Sequence, residues 1–516
     1  SQLREKYEAD PRVKRLIDTA MRVEGMPRNT STHAAAVVIT KEPVYHYVPL
    51  STNDDTVVIQ YTMTTVEELG LLKMDFLGLR NLTTIYKTVD MIEKRQGVKL
   101  DINHIPLDDK PTYEMLMQGD TDGVFQLESQ GMKNLVKKLK PDVFEDLGAL
   151  VALFRPGPLD SGMVDDFVER KHGRQAITYA HPLLEPVLKD TYGTIVYQEQ
   201  IMQVSQKIAG FSLGGADMLR RAMGKKKLDV LMAKKQEFIE GAVKNGFTEE
   251  HAGDIFEIMV PFAGYGFNKS HAAAYSVVAY RTGWLKANKP AEFMAANLTN
   301  EITSTDKIPV YIEEARRMGI AVDAPDVNRS DAIFDVVDGR IVFGLMGVKG
   351  MGEGAAQAIV QERNANGPYK TFMDFIDRTD FHCVNKKAIE VLIKTGGFDH
   401  LDKNRATLIL NYERAISYTE KKRAGKDNGQ ASLFEEAGIQ EFVDFKYEDV
   451  EELPKMEKLN MEKELIGCYV SGHPLDDWKE AIEKCVTVDS SNMVRVAKEA
   501  KAEKEALESN SKISWQ

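Results

Sequence analysis

A lysine and an aspartate lie two residues apart in "LLKMDFLGLR", where Lys73 and Asp75 alternate with apolar residues. Because side chains alternate between the two faces of a β-strand, Lys73 and Asp75 are predicted to share one face. Carboxylates on a sheet are how two-metal phosphoryl-transfer sites hold Mg²⁺, which prefers hard oxygen ligands. On these residues alone, a surface ion pair on a half-exposed strand is the favoured alternative.

A local surplus of positive charge marks the stretch "ADMLRRAMGKKKLDVLMAKK", although the formal net charge of the whole chain is -12. The preceding glycines and Asp217 predict a helix start, which places Arg220 and Arg221 in the first turns. A planar guanidinium can donate two hydrogen bonds to phosphate oxygens, so the stretch predicts a phosphate-binding surface. A solvated basic face is the alternative. The lysines that follow extend the charge: Lys225, Lys226 and Lys227.

A polar cluster precedes a long helical pattern in "GYGFNKSHAAAYS", with Ser270 as the predicted N-cap. A helix N-terminus presents free N–H groups and a positive dipole end, which suit an anion such as a triphosphate. Tyr275 is predicted to pack within the protein by default, with stacking on a base as the alternative. The predicted anion-binding residues are Asn268, Lys269, Ser270 and His271.

A glycine-rich turn lies in "GLMGVKGMGEGAAQAIV", between an apolar approach and a helical pattern. This arrangement is typical of a helix-hairpin-helix phosphate clamp. Gly350 and Gly352, beside Lys349, would let backbone N–H groups contact DNA phosphates without reading bases. An ordinary glycine-rich turn is the alternative.

Two adjacent apolar residues, Leu433 and Phe434, lie in the polar segment "GQASLFEE". Exposed apolar residues in such a segment often dock into a pocket of a partner, and Gln430 could add a directional hydrogen bond. Collapse onto the neighbouring domain is the alternative.

The domains, helices and strands that position these residues can be predicted from the chain length and the pattern of apolar residues. A chain of 516 residues exceeds what one core usually serves, so several domains are predicted. One amphipathic helix ended by Gly25 precedes strands in "AAAVVIT", "TVVIQYTM" and "GLLKMDFLG". Helical patterns dominate residues 81–300, and two strand-like runs precede the glycine-rich turn. The stretch 421–458, with eight acidic residues and one Lys in 435–452, is predicted to be a mobile linker.

Cysteine content and hydropathy exclude several protein classes. Cys383, Cys468 and Cys485 are odd in number and lack CxxC spacing, which argues against a disulfide framework and a four-ligand zinc site. No stretch approaches about 18 consecutive apolar residues, and the charged first segment contains no apolar core for export. The sequence predicts a cytosolic protein without a membrane partner.

The motifs together resemble those of bacterial DNA polymerase III alpha subunits, the family C replicative polymerases. The resemblance extends over nearly all of residues 1 to 480. The motifs that carry it are "THAAAVVIT", "LLKMDFLGLRNLT", "GVFQLESQGMK", "LVALFRPGPLDSGMVDDFVERKHG", "YGTIVYQEQIMQ", "GGADMLRRAMGKKK", "FAGYGFNKSHAAAYS", "KGMGEG" and "YVSGHPLDD".

The resemblance implies an α+β, predominantly helical fold with a partial palm sheet, a large helical fingers domain and a helix-hairpin-helix domain. The implied segments are 1–24 (end of the thumb), 25–85 (C-terminal part of the palm), 86–330 (fingers), 331–425 (helix-hairpin-helix and clamp-binding region), 426–456 (acidic linker with the clamp motif) and 457–516 (start of the C-terminal region and a charged tail).

The resemblance also implies roles. Asp75 matches the third catalytic carboxylate, a metal ligand, and Lys73 matches a lysine that faces the incoming nucleotide. Arg220 and Arg221 match fingers arginines that contact the triphosphate, so these four side chains are expected to converge on one cavity. "QASLF" resembles the motif that docks on the sliding clamp. The implied cofactor is Mg²⁺, and the implied partners are primer-template DNA, deoxynucleoside triphosphates, the sliding clamp (beta subunit) and other holoenzyme subunits, in the bacterial cytoplasm at the nucleoid.

One departure limits the expected activity. In the family, an Asp-x-Asp pair precedes this region and holds the metals together with the equivalent of Asp75, and this chain lacks it. Asp120 and Asp122 predict a turn without a metal. The N-terminal phosphoesterase-like domain, the first palm half and the C-terminal barrel are also expected to be missing.

The sequence therefore predicts part of a DNA-directed DNA polymerase that adds deoxynucleotides to a primer 3′-OH on a DNA template by two-metal phosphoryl transfer. Because one carboxylate holds two Mg²⁺ ions poorly, the chain alone is expected to be inactive. The alternative is a non-catalytic module that binds DNA and the sliding clamp.

Overall fold

The computed structural model of the chain describes residues 2–26, 31–53, 55–224, 228–263, 266–304, 306–427, 445–488, 493 and 496–501. The chain divides into two compact units, Ser1–Leu79 and Arg80–Gln516. None of the described helices is both long enough and apolar enough to cross a bilayer.

The first unit combines short helices with two antiparallel pairs of strands. Its helices are α1 (Gln2–Ala9), α2 (Pro11–Val23) and α3 (Met63–Glu68), with a 3₁₀ turn at Val44–His46. Its strands are β1 (Ala36–Ile39), β2 (Leu50–Asn53), β3 (Thr56–Ile59) and β4 (Leu72–Asp75), and β1 pairs with β4 while β2 pairs with β3. The three predicted strands are confirmed. The mostly polar "LSTN" of β2 carried no apolar alternation from which to predict it.

The N-terminal segment forms two helices, so the prediction of one continuous helix is wrong. Proline lacks a backbone N–H and its ring clashes with the preceding turn, so Pro11 begins a new helix. The side chain of Asp10 caps α2, because its Oδ1 accepts a hydrogen bond from the N–H of Arg12 at 2.8 Å.

The second unit is predominantly helical, which confirms the predicted fold class. Its helices are α4 (Arg80–Gln96), α5 (Lys110–Met117), α6 (Gln130–Leu139), α7 (Phe144–Leu153), α8 (Pro156–Asp160), α9 (Met163–Lys171), α10 (Glu185–Leu188), α11 (Gln198–Ala209), α12 (Leu213–Gly224), α13 (Leu228–Lys244), α14 (Glu249–Ala263), α15 (Lys269–Asn288), α16 (Pro290–Asn300), α17 (Lys307–Arg317), α18 (Glu353–Asn366), α19 (Phe372–Arg378), α20 (Lys386–Lys394), α21 (Arg405–Asp427), α22 (Lys455–Ile466) and α23 (Lys479–Cys485).

A small sheet of three strands and several 3₁₀ turns complete this unit. Strand β7 (Arg340–Val342) lies between β5 (Val322–Asp323), to which it is parallel, and β6 (Asp335–Val337), to which it is antiparallel. The 3₁₀ turns are Pro182–Leu184, Lys189–Thr191, Leu345–Gly347 and Asp476–Trp478.

Three apolar cores hold the second unit together. The five consecutive helices α10 to α14 form one core together. In a second core, α5, α6, α7 and α9 pack against α15. The largest runs from Ile85 on α4 to Ile466 on α22 and includes the small sheet, α16, α17 and α18. Because this core crosses residue 330, the predicted fingers and hairpin segments pack against each other there.

Residues 445–454 lie along α21, so the prediction of a mobile linker is wrong for them. The side-chain amide of Asn411 exchanges two hydrogen bonds with the backbone of Glu448, at 3.0 Å and 2.9 Å. The hydroxyl of Thr407 bonds both the N–H and the C=O of Val450, at 3.1 Å and 3.3 Å. Side chains of α21 thus satisfy the backbone of an acidic segment that has no neighbouring strand.

A buried ion pair joins α15 to α17. Lys286 Nζ lies 2.5 Å from Glu314 Oε1, and the two side chains are 0% and 5% exposed. Lys286 also donates to the carbonyl of Asp122 at 2.8 Å, and Arg317 donates to Glu314 and pairs with Asp120. Burial alone would raise the pKa of Glu314, but the hydrogen bonds from Arg317 and Lys286 lower it to about 2. Asp120 and Asp122 therefore belong to a turn held by cations.

Replacing Glu314 by Gln is expected to destabilise the protein by about 3–5 kcal/mol, because Lys286 keeps a buried charge without its counter-ion. The free energy of unfolding from urea titration measures this. Glu313→Gln is the matched control: Glu313 is the exposed neighbour on the same helix, and its replacement is expected to change stability by less than about 0.5 kcal/mol. Equal effects of the two substitutions would contradict the assigned role of the pair.

Candidate functional site

The predicted lysine and aspartate form a close ion pair on β4. In the antiparallel register, Asp75 lies opposite Ala36 and Lys73 opposite Val38. As the alternation predicts, both side chains lie on one face, and Lys73 Nζ donates to both carboxylate oxygens of Asp75, at 2.7 Å and 2.8 Å. The hydrogen bond from Lys73 is the main reason that the pKa of Asp75 lies below its ordinary value. The carboxylate of Asp75 is therefore ionised, and both of its oxygens are already paired with the ammonium group of Lys73.

A histidine that sequence reasoning missed lies beside this pair. His33 Nδ1 accepts a hydrogen bond from the N–H of Ala35 at 3.1 Å, so the neutral ring carries its proton on Nε2. That Nε2 lies 3.4 Å from Asp75 Oδ1. Antiparallel pairing of β1 with β4 places the residues before β1 next to the end of β4, so His33 could be identified only once the strand register was known. His33 and Lys73 also line a cavity of about 940 Å³.

The residues around Asp75 do not by themselves fit a magnesium site. Both oxygens of Asp75 are engaged by Lys73, whereas Mg²⁺ requires near-octahedral oxygen ligation. In the described part of the chain there is no group of three His, Cys, Asp or Glu side chains suited to a metal ion. An ion at Asp75 would have to displace Lys73 from at least one oxygen.

Arg220 and Arg221 lie on α12 of the second unit and share one counter-ion. Arg220 donates through Nε and Nη2 to Asp217 Oδ1, at 2.9 Å and 2.8 Å, and Arg221 Nε donates to Asp217 Oδ2 at 2.8 Å. The side-chain hydrogen bond from Arg220 is the largest cause of the lowered pKa of Asp217. The Arg221 side chain is 68% exposed and keeps donors directed to solvent.

Helix α12 begins next to the two glycines that were predicted, together with Asp217, to mark its start. Its first residue is Leu213, so Gly214 and Gly215 lie in the first turn and Asp217 lies inside the helix. The hydroxyl of Ser212 accepts a hydrogen bond from the N–H of Gly215 at 3.1 Å, as an N-cap residue does. Because Ser212 rather than Asp217 caps the helix, the carboxylate of Asp217 can accept hydrogen bonds from Arg220 and Arg221.

The N-cap of α15 is Asn268, which corrects the prediction of Ser270. Asn268 Oδ1 accepts a hydrogen bond from the N–H of His271 at 2.8 Å. The carboxylate of Glu199 accepts from Asn268 Nδ2 and from the N–H of Lys269, both at 2.8 Å. Because a protein carboxylate already occupies this helix end, an incoming anion would have to compete with Glu199.

The start of α11 brings these two segments together. Gln198 Oε1 accepts a hydrogen bond from Arg220 Nη1 at 3.0 Å, and the adjacent Glu199 holds the start of α15. The N–H of Gln198 also donates to the carbonyl of Phe267 at 2.9 Å. Arg220 and residues 268–271, about fifty positions apart in the chain, are therefore held by two consecutive residues. Sequence reasoning missed Gln198, Glu199 and the role of Asp217, although "YGTIVYQEQIMQ" contains the first two.

Aromatic rings extend from this cluster along α15. The ring of Tyr275 lies 4.0 Å from that of His271 and 5.0 Å from that of Phe125, measured between centroids. Phe267 contacts His271, and the guanidinium of Arg155 lies 4.7 Å from the Phe267 ring. Packing, the default prediction for Tyr275, agrees with these contacts, and stacking on a base stays a prediction.

The glycine-rich turn before α18 is exposed at Lys349, Gly350 and Gly352. Gly350 has a φ of +97°, a left-handed conformation that favours glycine, and a Cβ there would contact Val391. The N–H of Lys349 donates to the carbonyl of Leu465 at 2.8 Å, so this N–H serves the fold. The Lys349 side chain and the N–H groups of Gly350 and Gly352 stay predicted phosphate contacts.

Several predicted residues lie outside the described residues: Lys225, Lys226, Lys227, Gln430, Leu433 and Phe434. The Lys73–Asp75 pair and the Arg220 cluster belong to different units. Their convergence on one cavity stays a prediction.

Family models match three stretches of the chain. They are "Bacterial DNA polymerase III alpha NTPase domain" at residues 1–78, "Bacterial DNA polymerase III alpha subunit finger domain" at 81–246, and "Helix-hairpin-helix motif" at 319–408.

Curated relatives are similar over nearly the full chain. The DNA polymerase III subunit alpha of Treponema pallidum is 48% identical, over 95% of this chain and 42% of the relative. Those of Pseudomonas aeruginosa and Escherichia coli (strain K12) are each 46% identical, over 93% and 94% of this chain and 44% and 43% of the relative. The chain thus spans less than half the length of these relatives.

Replacing Lys73 by Met is expected to raise the pKa of Asp75 toward its ordinary value of 3.8, because the hydrogen bonds that lower it are lost. A pH titration by carbon NMR of carboxyl-labelled aspartate measures this, with the Asp75 signal assigned by its loss in Asp75→Asn. Lys41→Met, at an exposed lysine of the same unit, is expected to leave the titration unchanged. An unaltered Asp75 curve in Lys73→Met would refute the pairing.

Proposed function

The chain belongs to the family of bacterial DNA polymerase III alpha subunits, and from this premise we propose that it forms part of a DNA-directed DNA polymerase, a nucleotidyltransferase that extends a primer 3′-OH on a DNA template. The observation that carries this proposal is the junction at Gln198 and Glu199. It brings the half-buried guanidinium of Arg220 and the exposed polar start of a long helix into one cluster.

This cluster suits the triphosphate of an incoming deoxynucleotide. Phosphoryl transfer depends on positioning and charge neutralisation more than on covalent help from the protein. Arg221, mostly exposed, can donate to a phosphate without leaving Asp217, because only its Nε is engaged there. Arg220 is held more firmly by Asp217 and Gln198, which positions its guanidinium for the nucleotide. Lys269, Ser270 and His271 would complete the binding surface, with Tyr275 behind them.

Mg²⁺ is the proposed cofactor, with Asp75 as one ligand and Lys73 as a neighbouring positive charge toward the nucleotide. When bound, the ions would supply charge neutralisation at the reacting phosphate. Because Asp75 alone does not fit a two-ion site, we propose that the further carboxylates come from polypeptide outside this chain. The chain on its own then has no complete catalytic site.

The 516-residue chain is expected to give no primer extension with Mg²⁺ and four deoxynucleotides, because the metal-binding Asp-x-Asp pair implied by the resemblance is not matched in it: Asp120 and Asp122 lie in a turn and pair with Arg317 and Lys133. Adding a separately purified palm polypeptide that carries this pair is expected to restore extension. Asp75→Asn should then abolish the product, whereas Asp55→Asn, at an exposed aspartate of the same unit, should not. Gel analysis of a labelled primer measures all four reactions, and extension by the chain alone would overturn the proposal.

A non-catalytic module that binds DNA and the sliding clamp is the second candidate function. The ion pair between Asp75 and Lys73 favours this non-catalytic role for the chain alone, because the carboxylate is already engaged. Exposed Lys349 and the basic residues 225–227 are the proposed DNA contacts, and Gln430, Leu433 and Phe434 are the proposed clamp contacts. Primer-template DNA, the clamp and other holoenzyme subunits in the bacterial cytoplasm are the proposed partners.

Binding of labelled primer-template DNA is expected to weaken with salt, because each phosphate contact releases counter-ions. Lys349→Ala should reduce the slope of log K against log salt by about 1. Lys99→Ala, an exposed lysine on a different segment, should leave the slope unchanged, and Asp75→Asn should leave the affinity intact. Fluorescence anisotropy measures these slopes, and identical slopes for Lys349→Ala and the unmodified chain would argue against the hairpin contact.

A further inference from the structure

A cavity of about 470 Å³ lies within the second unit, and its lining includes none of the residues of the proposed polymerase site. Its inner walls are apolar and buried, and are formed mainly by Leu184, Val204, Ile255 and Met259 from three neighbouring segments. Its volume falls in the range of about 300–1,000 Å³ that is usual for small-molecule sites. An apolar cavity of this size can accommodate a hydrocarbon group.

One arginine gives the cavity a polar end. Arg170 Nε is buried and has no hydrogen-bond partner within the described part of the chain. Arg170 Nη1 makes one long contact, 3.4 Å from Thr194 Oγ1. Asp166, one turn earlier on α9, lines the same cavity but forms no ion pair with Arg170 among the described residues. Arg170 therefore lines the cavity and has one buried donor, Nε, without a partner among the described residues.

Arg405, a buried arginine of the same unit, differs from Arg170 in its hydrogen bonding. Arg405 donates to Asp399 through two nitrogens and to Glu462 through a third. Proteins normally satisfy buried donors, and an unsatisfied one costs about 1–3 kcal/mol. An oxygen ligand in the cavity would satisfy Arg170 in the way that Asp399 satisfies Arg405.

We propose that this cavity binds a small amphipathic carboxylate. The carboxylate would accept hydrogen bonds from Arg170 and Thr194, and its hydrocarbon part would lie against Val204, Ile255 and Met259. A single negative charge fits better than a phosphate dianion, because one guanidinium lines the cavity and the exposed carboxylate of Asp166 lies at its mouth. The proposal is independent of polymerase activity.

The site lies next to the junction described above. Val204, which forms part of the wall, is on α11, and the same helix begins at Gln198 and Glu199. A ligand in the cavity would therefore pack against the helix that holds Arg220 and the start of α15.

Isothermal titration of the full chain with sodium octanoate and, separately, with 1-octanol tests the proposal. Octanoate is expected to bind at one site, and octanol at least about tenfold more weakly, because it lacks the charged head that pairs with the guanidinium. Arg170→Gln is expected to weaken octanoate binding by a similar factor. Arg174→Gln is the matched control, with the same loss of charge at a surface arginine paired with Glu169 outside the cavity.

Three outcomes would overturn the proposal: no octanoate binding by the unmodified chain, equal affinities for octanoate and octanol, or unchanged octanoate binding in folded Arg170→Gln. Circular dichroism establishes whether that variant is folded. If it is not, the comparison of octanoate with octanol on the unmodified chain decides the question, since it requires no substitution.

Discussion

The carboxylate of Glu199 is the interaction on which the candidate site of the second unit depends. Glu199 accepts hydrogen bonds from the side-chain amide of Asn268 and from the N–H of Lys269, the first residue of α15. Its neighbour Gln198 accepts a hydrogen bond from Arg220 Nη1. Gln198 and Glu199 are consecutive residues at the start of α11. The first turn of α11 therefore fixes the distance between the Arg220 guanidinium and the start of α15. A charged acceptor at a helix N-terminus is also favourable in itself, since it meets the positive end of the dipole.

Three of the candidate cations at the two sites, Lys73, Arg220 and Arg221, are already paired with acidic residues of the protein. Lys73 holds Asp75, and Arg220 and Arg221 share Asp217. Binding a polyanion would then exchange one set of partners for another, so the net gain is smaller than for bare cations. Such pairing is consistent with an acidic chain of net charge -12 that holds local basic groups without indiscriminate attraction to anions.

Strand alternation and family motifs predicted much of this arrangement, while tertiary contacts decided what they missed. The period of two placed Lys73 and Asp75 on one face, and the observed ion pair agrees with it. Ser270 and Asn268 are both good N-cap residues, and only contact with Glu199, far away in sequence, favours Asn268. His33 and Glu199 were not identified because a residue's partner across a strand register or a helix junction cannot be seen in local sequence.

Helix α15 connects the candidate site to the core that contains the hairpin region. Its 20 residues span about 30 Å, from the Glu199 contact at one end to the Lys286–Glu314 pair near the other. Glu314 lies on α17, which packs in the same core as the sheet and α18. Separating α15 from α17 would leave a buried charge unpaired, at a cost of about 3–5 kcal/mol. The second unit therefore has a continuous packed connection between the polar start of α15 and the core beneath the glycine-rich turn.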